Sequence, residues 1–168
     1  MQKYDNDDLQ HLTETWGRNR KITINGNIPT QTIKFGEEMG ELFEAVTPAD
    51  AKDAIGDMIV VLSMIANLNK SSISKCQALD NEECITLQFE DRAPAHLLAA
   101  NYGKLCSAVV RDKNEKINKL IGSFMIIFEM ICKDNGFTVN ECWSLAYNEI
   151  KDRTGTLLEN GNFVKDED

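Results

Sequence analysis

Residues that interrupt helices are scarce in this 168-residue sequence, which has only 3 prolines and 10 glycines. That scarcity excludes collagen-like and low-complexity chains, which are rich in both residues. Hydrophobic residues make up 42% and charged residues 27%, a profile typical of a globular protein. A chain of this length can bury one core, so we predict a single domain over residues 1–168, built mainly from helices.

Positive charge and long apolar runs are also lacking. The net charge is −9, whereas a surface that grips nucleic acid or anionic lipid needs an excess of Lys and Arg. The longest apolar run, residues 58–68, is interrupted by Ser63 and Asn67 and is too short to span a bilayer. We therefore predict no nucleic-acid partner and no membrane. An acidic protein that handles phosphates would do so through divalent cations.

The sequence contains no CxxC pair and no cluster of histidine with cysteine. Its five cysteines are odd in number, and His11 and His96 lie far apart, so neither a disulfide framework nor a zinc site is predicted. Residues 1–10 lack the charged and apolar segments of a secretory signal. Reduced thiols and a cytoplasmic location are the expectation.

Helical spacing of apolar residues predicts an all-α bundle of about five to six helices. The predicted helices are 6–20, 30–46, 49–69, 94–113, 115–135 and 139–153. Residues 21–29 are expected to form a loop, residues 70–93 a long loop or insertion, and residues 154–168 a polar tail that packs through Leu157 and Phe163.

The second and third helices carry the clearest patterns. In the second, Phe35, Met39, Leu42, Phe43 and Val46 form one apolar stripe, which we expect to be buried. The third is apolar nearly all the way round, which predicts a position at the centre of the bundle. Together, residues 30–69 form the predicted catalytic helix pair, and residues 94–153 the structural helices.

An internal similarity relates the two parts of the chain. IGDMIVVLSMI at residues 55–65 aligns with IGSFMIIFEMI at 121–131, and GELFEAV at 40–46 aligns with GKLCSAV at 103–109. Glu41 and Asp57 have Lys104 and Ser123 as their counterparts. The pattern suggests a duplicated helix pair whose second copy has lost its acids.

Acidic residues border the apolar faces of the catalytic pair. At 100° per residue, Glu38 and Glu41 lie about 60° apart on one edge of their helix. Asp53 and Asp57 are one turn apart on the next helix. Burying several ionised carboxylates together is costly, so a cation is expected. Mg²⁺ suits this need because it prefers oxygen ligands and keeps waters and phosphates in its shell.

The acidic pattern resembles that of the MazG-like all-α nucleoside triphosphate pyrophosphohydrolases. The family pattern is EExxE followed by ExxD, which this chain matches at Glu37, Glu38, Glu41 and Asp57. It departs at Ala54, which stands where the family has a glutamate, and Asp53 is the expected substitute. The resemblance covers residues 16–68 and resumes in AYNEIKDRTGTLLENGNFVK at 146–165, in the manner of the phage and bacterial members.

The resemblance implies a four-helix core, a Mg²⁺ cofactor for which Mn²⁺ can substitute, and cleavage of a nucleoside triphosphate to a monophosphate and pyrophosphate in the cytoplasm of a bacterium or a phage-infected cell. It implies metal ligation by Glu38, Glu41 and Asp57, with Asp53 as the replacement ligand, and makes Glu37 the candidate general base. It also implies phosphate binding by Asn148, Lys151 and Arg153. Lys34 is placed to neutralise phosphate charge, and Gln31 or Trp16 to meet the base or sugar.

Several of these residues also have a plainer structural interpretation. Trp16 is more often a packing residue and Gln31 a surface amide, and EExxE alone is usually a solvated helix face. Within the superfamily, a dUTPase acting on dUTP or dUDP is an alternative, and a phosphoribosyl-ATP pyrophosphohydrolase is disfavoured. The non-enzymatic alternative is an acidic helical module that binds a basic partner or stores a cation. The resemblance implies a homodimer or homotetramer, and the alternative is that the degenerate repeat lets one chain supply its own second half.

Overall fold

The computed structural model describes residues 4–79 and 93–166 of the chain. They form an all-α bundle with one small antiparallel hairpin near the C-terminus. The helices are α1 (Asn6–Asn19), α2 (Ile22–Asn25), α3 (Ile28–Glu44), α4 (Pro48–Leu68), α5 (Ile73–Gln77), α6 (Pro94–Val110), α7 (Asn114–Asn135) and α8 (Val139–Ile150), and the strands are β1 (Gly155–Leu157) and β2 (Phe163–Lys165). None of these helices is long and apolar enough to cross a membrane.

Capping side chains fix the starts of the two helices of the predicted catalytic pair. The Asn27 side chain accepts a hydrogen bond from the Thr30 amide at 2.8 Å at the start of α3. Thr47 and Asp50 form a reciprocal capping box at the start of α4, with Pro48 in the first turn. These caps satisfy amides that the first turn of a helix leaves without partners. The link from α3 to α4 is only residues 45–47, so the two helices are antiparallel neighbours.

Helix α4 is the central element, as the sequence predicts. It packs against α1, α2, α3, α5, α7 and α8, and residues 58–66 are all buried. Helices α3 and α4 pack together, as do α6 and α7, and the two pairs meet through contacts of α3 with α6 and of α4 with α7. The two aligned sequence segments therefore lie on corresponding helices of two packed pairs.

Several local predictions need correction. Residues 22–25 of the predicted first loop form a helical turn, and residues 73–77 of the predicted long loop form another, while residues 80–92 lie outside the described part of the chain. The polar tail contains the β1–β2 hairpin, in which Leu157 pairs with Phe163. Both of these residues do pack against the core.

The predicted burial of the whole α3 stripe is wrong at its C-terminal end. Phe35 is fully buried and Met39 and Leu42 are partly buried against the core. Phe43 is 49% exposed and Val46 90% exposed, however. The reason is that α3 ends at Glu44, so Val46 belongs to the link and leaves the helical face that the spacing assigned to it.

Candidate functional site

A cavity of about 230 Å³ lies beside the α3–α4 pair, closed by α1, α2, the C-terminal end of α8 and the hairpin. We call it the α3–α4 cavity. It is lined by Trp16, Ile22, Gln31, Lys34, Glu38, Glu41, Asp57, Val60, Val61, Met64, Ile150, Arg153, Asn162 and Phe163. Most of the predicted site residues are thus brought together although they span the chain from α1 to the segment after α8.

Two wider surface depressions, of about 840 and 810 Å³, lie beside the hairpin and beside the α6–α7 turn. Neither is lined by a predicted site residue. The α3–α4 cavity is the better candidate because its walls combine carboxylates, cations and apolar side chains in one place.

The antiparallel packing of α3 and α4 creates two chemically different ends in this cavity. Glu38 and Glu41 lie toward the end of α3 and meet the first half of α4, which carries Asp53 and Asp57. At the other end, Gln31 from the start of α3 meets the second half of α4, where Met64 also lines the wall. The cavity therefore runs from an acidic end to a mainly apolar end.

Asp57 has the most perturbed carboxyl group at the acidic end. Burial, reinforced by the negative charges of Glu38 and Asp53, raises its pKa to about 7, while Arg153 opposes the shift. Burial also raises the pKa of Glu41, which the charge of Glu38 reinforces. These carboxyl groups repel one another, and a cation bound among them would favour the ionised forms.

Lys34 provides a resident cation for two of the acids. Its Nζ lies 2.7 Å from Glu38 Oε1 and 3.1 Å from Glu37 Oε2. Burial lowers the pKa of Lys34, but the hydrogen bonds to Glu38 and Glu37 outweigh burial, so the net shift is upward. Lys34 therefore stays charged in the cavity wall and compensates the buried Glu38, which is 4% exposed.

The donor chemistry suits Mg²⁺, because every candidate ligand is a carboxylate oxygen. Among the described residues, Asp53 Oδ1 is buried and has no hydrogen-bond partner, although Asp53 does not line the cavity. However, within residues 4–79 and 93–166 no three His, Cys, Asp or Glu side chains converge closely enough to hold one ion. The ligand types thus fit the metal, but one of them, Glu38, is ion-paired with Lys34 and the set is not arranged around one point.

Four predicted site residues do not line the cavity. Glu37 is on the solvent side of α3, with its side chain 64% exposed. Asp53 does not line the wall, although its charge acts on both Glu41 and Asp57. Lys151 Nζ donates to Asn148 Oδ1 at 3.2 Å, so these two predicted phosphate ligands are paired with each other. Of the predicted phosphate-binding set, Arg153 alone lines the cavity.

The apolar end is built from Trp16 and the hairpin. Trp16 packs edge to face against Phe163, with ring centroids 5.8 Å apart. The hairpin is fixed to the start of α3, where Asn27 and Thr30 both donate to the Asn160 carbonyl. The tail thus forms a wall of the site, which the sequence did not predict although it placed Phe163 in a packed tail.

Arg20 is a positioning residue that the sequence did not single out. Its guanidinium group lies over the Trp16 ring, 5.1 Å from the centroid. The same group donates to the Arg153 carbonyl, from Nε at 2.9 Å and from Nη2 at 2.6 Å. Arg20 therefore ties the apolar wall to the segment that carries Arg153. No local sequence signal marks this role, because the partners are 133 residues apart.

Comparisons with protein-family models, with curated proteins and with solved structures found no match to this chain. The chain is therefore classified here by its fold and its cavity alone. It is an all-α helical bundle with an acidic cavity between its first long helix pair and its C-terminal segment.

Proposed function

We propose that the chain is a Mg²⁺-dependent pyrophosphohydrolase that converts a nucleoside triphosphate, ribo or deoxy, to the monophosphate and pyrophosphate. The observation that carries the proposal is the two-ended α3–α4 cavity. Its acidic end gathers Glu38, Glu41 and Asp57, and its other end presents Trp16 and Gln31 among apolar side chains. That arrangement suits a ligand with a flat ring at one end and a polyphosphate, neutralised by a divalent cation, at the other.

Glu38, Glu41 and Asp57 would hold the metal, and Asp53 would join them through its unpartnered Oδ1. When bound, Mg²⁺ supplies charge neutralisation for the phosphates and a lowered pKa for a bound water. Lys34 is paired with Oε1 of Glu38, so it lies beside the oxygens that would hold the metal. Its ammonium group has three donor hydrogens and could also serve a phosphate oxygen.

Lys34 and Arg153 are the cations proposed to contact phosphate, since both line the cavity beside the carboxylates. Asn148 and Lys151 are hydrogen-bonded to each other and do not line the cavity, so they would have to reorient to contact the phosphates. The proposed general base, Glu37, needs its side chain to turn from solvent toward the metal side of α3. Release of Lys34 from Glu37 makes that turn possible, because the same ammonium group holds both glutamates.

A non-catalytic acidic binding module is the second candidate. The observation that favours it is the ion pair of Lys34 with Glu38, which neutralises the buried carboxylate without a metal. Such a module would bind a basic partner through the remaining acids and would release no pyrophosphate.

The proposal includes assembly into a homodimer or homotetramer in the cytoplasm. The exposed apolar side chains Phe43 and Val46 support assembly, since such groups gain from burial in an interface. Sedimentation velocity measures the mass directly, and a purely monomeric species at all concentrations would contradict this part of the proposal.

The decisive experiment incubates the chain with each NTP and dNTP, with dUTP and with dUDP, plus Mg²⁺ or Mn²⁺, and resolves pyrophosphate from orthophosphate. Pyrophosphate is the expected product from the triphosphates. Glu38→Gln and Asp57→Asn are expected to lower kcat by on the order of 100-fold or more, the scale seen when one electrostatic group is removed from an active site. Release of orthophosphate from dUDP would identify a dUTPase-type activity.

Matched controls separate catalysis from folding. Glu44→Gln on α3 and Asp134→Asn on α7 make the same chemical changes at exposed positions outside the cavity and should leave turnover within twofold. Circular dichroism checks that each variant is folded. Unchanged turnover in both Glu38→Gln and Asp57→Asn would refute the metal-site assignment, and orthophosphate as the sole product from every triphosphate would refute the reaction class.

A further inference from the structure

Two of the cysteines in the described part of the chain have their thiol groups in contact. Cys132 near the end of α7 and Cys142 near the start of α8 place their sulfur atoms 3.7 Å apart, and both side chains are buried. Cys76 lies instead beside a serine hydroxyl group, and Cys106 beside a tyrosine. Among the four described cysteines, Cys132 and Cys142 therefore form the pair in which one thiol can react with another.

A short turn holds the two cysteines at these positions. Gly136 ends α7 in the left-handed conformation, with φ of 79°, and the Phe137 amide donates to the Cys132 carbonyl at 3.1 Å. Thr138 then caps α8, and its carbonyl accepts a hydrogen bond from the Cys142 amide at 3.2 Å. Each cysteine is thus hydrogen-bonded to the turn through its own backbone. The contact between the two sulfur atoms is for this reason a property of the fold.

The two sulfur atoms are within reach of a covalent bond. A disulfide bond is about 2.05 Å long, so atoms that are 3.7 Å apart must approach each other by roughly 1.7 Å. Rotation of the two side chains about their Cα–Cβ bonds moves a sulfur atom by distances of this size. The pair therefore meets the first requirement for a disulfide, which is proximity of the two thiols.

The surroundings of the pair make its two members chemically different. The hydrogen bond between the thiol groups lowers the pKa of Cys132 and raises that of Cys142. Burial and the charges of Glu129 and Glu141 oppose the downward shift at Cys132, while the charge of Lys52 on α4 supports it. The thiolate is the reactive form of cysteine, so Cys132 is the better nucleophile and Cys142 is its partner.

We infer that Cys132 and Cys142 form a reversible disulfide when the protein meets a peroxide. The Cys132 sulfur attacks one oxygen of hydrogen peroxide and the O–O bond breaks, which gives a sulfenic acid and a hydroxide that takes up the proton lost by the thiol. The Cys142 sulfur then attacks the Cys132 sulfur, so that the S–S bond forms and the S–O bond breaks. The hydroxyl group leaves as water with the Cys142 proton. Two electrons pass from the two sulfurs to the peroxide, and a dithiol reductant returns them.

A small oxidant has a route to the pair beside an ion pair at the surface. Lys52 Nζ lies 3.7 Å from Glu141 Oε1, and the two side chains are 25% and 49% exposed. Both charges act on both thiols, so this ion pair lies close to the sulfur atoms. An exposed ion pair contributes little to stability. Local opening at this place therefore costs little and admits a molecule as small as hydrogen peroxide.

The test treats the folded wild-type chain with hydrogen peroxide, blocks the remaining thiols and maps tryptic peptides without reductant. Trypsin separates Cys132, in residues 120–133, from Cys142, in residues 134–151, and neither peptide contains another cysteine. The two peptides should be found linked, at least tenfold more abundantly than any other disulfide, and dithiothreitol should release them. Retention of both free thiols, or a Cys132 joined mainly to another cysteine, would overturn the inference.

Cys142→Ser tests the roles of the two thiols, because the serine hydroxyl group can still donate to Cys132 but cannot form a disulfide with it. Peroxide should convert Cys132 of this variant to its sulfinic acid, which dithiothreitol does not reverse. Cys76→Ser, at a buried cysteine outside the pair, is the matched control and should leave the linked peptides unchanged. Circular dichroism checks that both variants are folded. An unoxidised Cys132 in folded Cys142→Ser would overturn its assignment as the attacking thiol.

Discussion

Asp57 lies on the apolar central helix α4, and its carboxyl group is close to other acidic side chains. Its neighbours Met58 and Gly56 are buried in the core, and Glu38 and Asp53 act on it electrostatically. A carboxyl group in such surroundings is stabilised in its protonated form. The residue therefore opposes folding when it is ionised and no cation is present.

This leads to a prediction for the metal-free protein between about pH 4 and about pH 7. Because burial raises the pKa of Asp57 from 3.8 to about 7, the folded state keeps a proton that the unfolded state loses in this range. The stability that Asp57 supplies is present below pH 4 and falls as the pH rises to 7. The shift corresponds to about 4 kcal/mol, and since solvent reaches part of the side chain we expect about 2 kcal/mol.

Urea unfolding of wild type and Asp57→Asn in EDTA measures this effect as the difference in unfolding free energy at each pH. The variant should gain about 2 kcal/mol relative to wild type between pH 4 and pH 7. Asp134→Asn, at an exposed position of α7, is the control and should show no such trend. A difference that is constant with pH would show that the Asp57 carboxyl group is ionised throughout the range.

At this scale the sequence predicted most of the residues that line the cavity, but not how they are engaged. Helical spacing placed Glu38 and Glu41 on one edge, and both line the cavity with Asp57. The ion pair of Lys34 with Glu38 depends on rotamers within a folded wall, which spacing alone does not specify. Arg20 was not predicted because it donates to backbone carbonyl groups after α8, and a backbone carbonyl group leaves no pattern in the sequence.

At the scale of elements, the contact of α4 with α8 positions Asp57 and Arg153 relative to each other. The helices approach most closely at Gly56, where an added Cβ would lie 2.5 Å from the Cys142 carbonyl oxygen and 2.9 Å from Ala146 Cβ. A backbone oxygen cannot move away as a flexible side chain would. Gly56 is thus required by packing, next to a proposed metal ligand.

Gly56→Ala is therefore expected to destabilise the fold by about 1–3 kcal/mol, the usual cost of overpacking. It should also lower kcat/KM, because α8 must shift away from α4 and would carry Arg153 with it. Urea unfolding and turnover of the same preparation measure both effects.

Gly40→Ala is the matched control on α3, since a Cβ there meets no atom within 4 Å. Replacing glycine by alanine inside a helix without a clash should stabilise by about 0.5–1 kcal/mol. Opposite signs for the two variants are the expected result. Stabilisation by Gly56→Ala would mean that α8 does not pack on α4 as described.

The long helices were predictable because their apolar spacing is regular, and α4 lies at the centre as its composition indicated. The short elements could not be predicted from apolar spacing. Helix α2 is a single turn that depends on Lys21 adopting a left-handed conformation, with φ of 61°. The hairpin forms because Asn160 is held by Asn27 and Thr30, residues far away in sequence. Tertiary contacts of this kind leave no local periodic signal.

At the scale of the whole molecule, the α3–α4 and α6–α7 pairs differ in charge at corresponding positions. Extending the alignment of residues 40–46 with 103–109 upstream pairs Glu38 with Asn101, which is also buried, at 3% exposure. Asp57 corresponds to Ser123, whose hydroxyl donates to the Lys119 carbonyl at 3.0 Å. The second pair thus keeps buried polar side chains at these positions but carries no carboxylate there.

This asymmetry predicts one nucleotide site per chain. Calorimetry with Mg²⁺ and an α,β-imido deoxynucleoside triphosphate, which resists cleavage between the α and β phosphorus atoms, should give a stoichiometry of one. Asp57→Asn should weaken this binding at least tenfold, since even loss of a residue that only orients a metal ligand costs about 10–100-fold in affinity, whereas Ser123→Ala should leave it within twofold. Two equivalents per chain, or equal losses in the two variants, would show that the α6–α7 pair binds nucleotide without the acids, and that the carboxylates of α3 and α4 do not define the site.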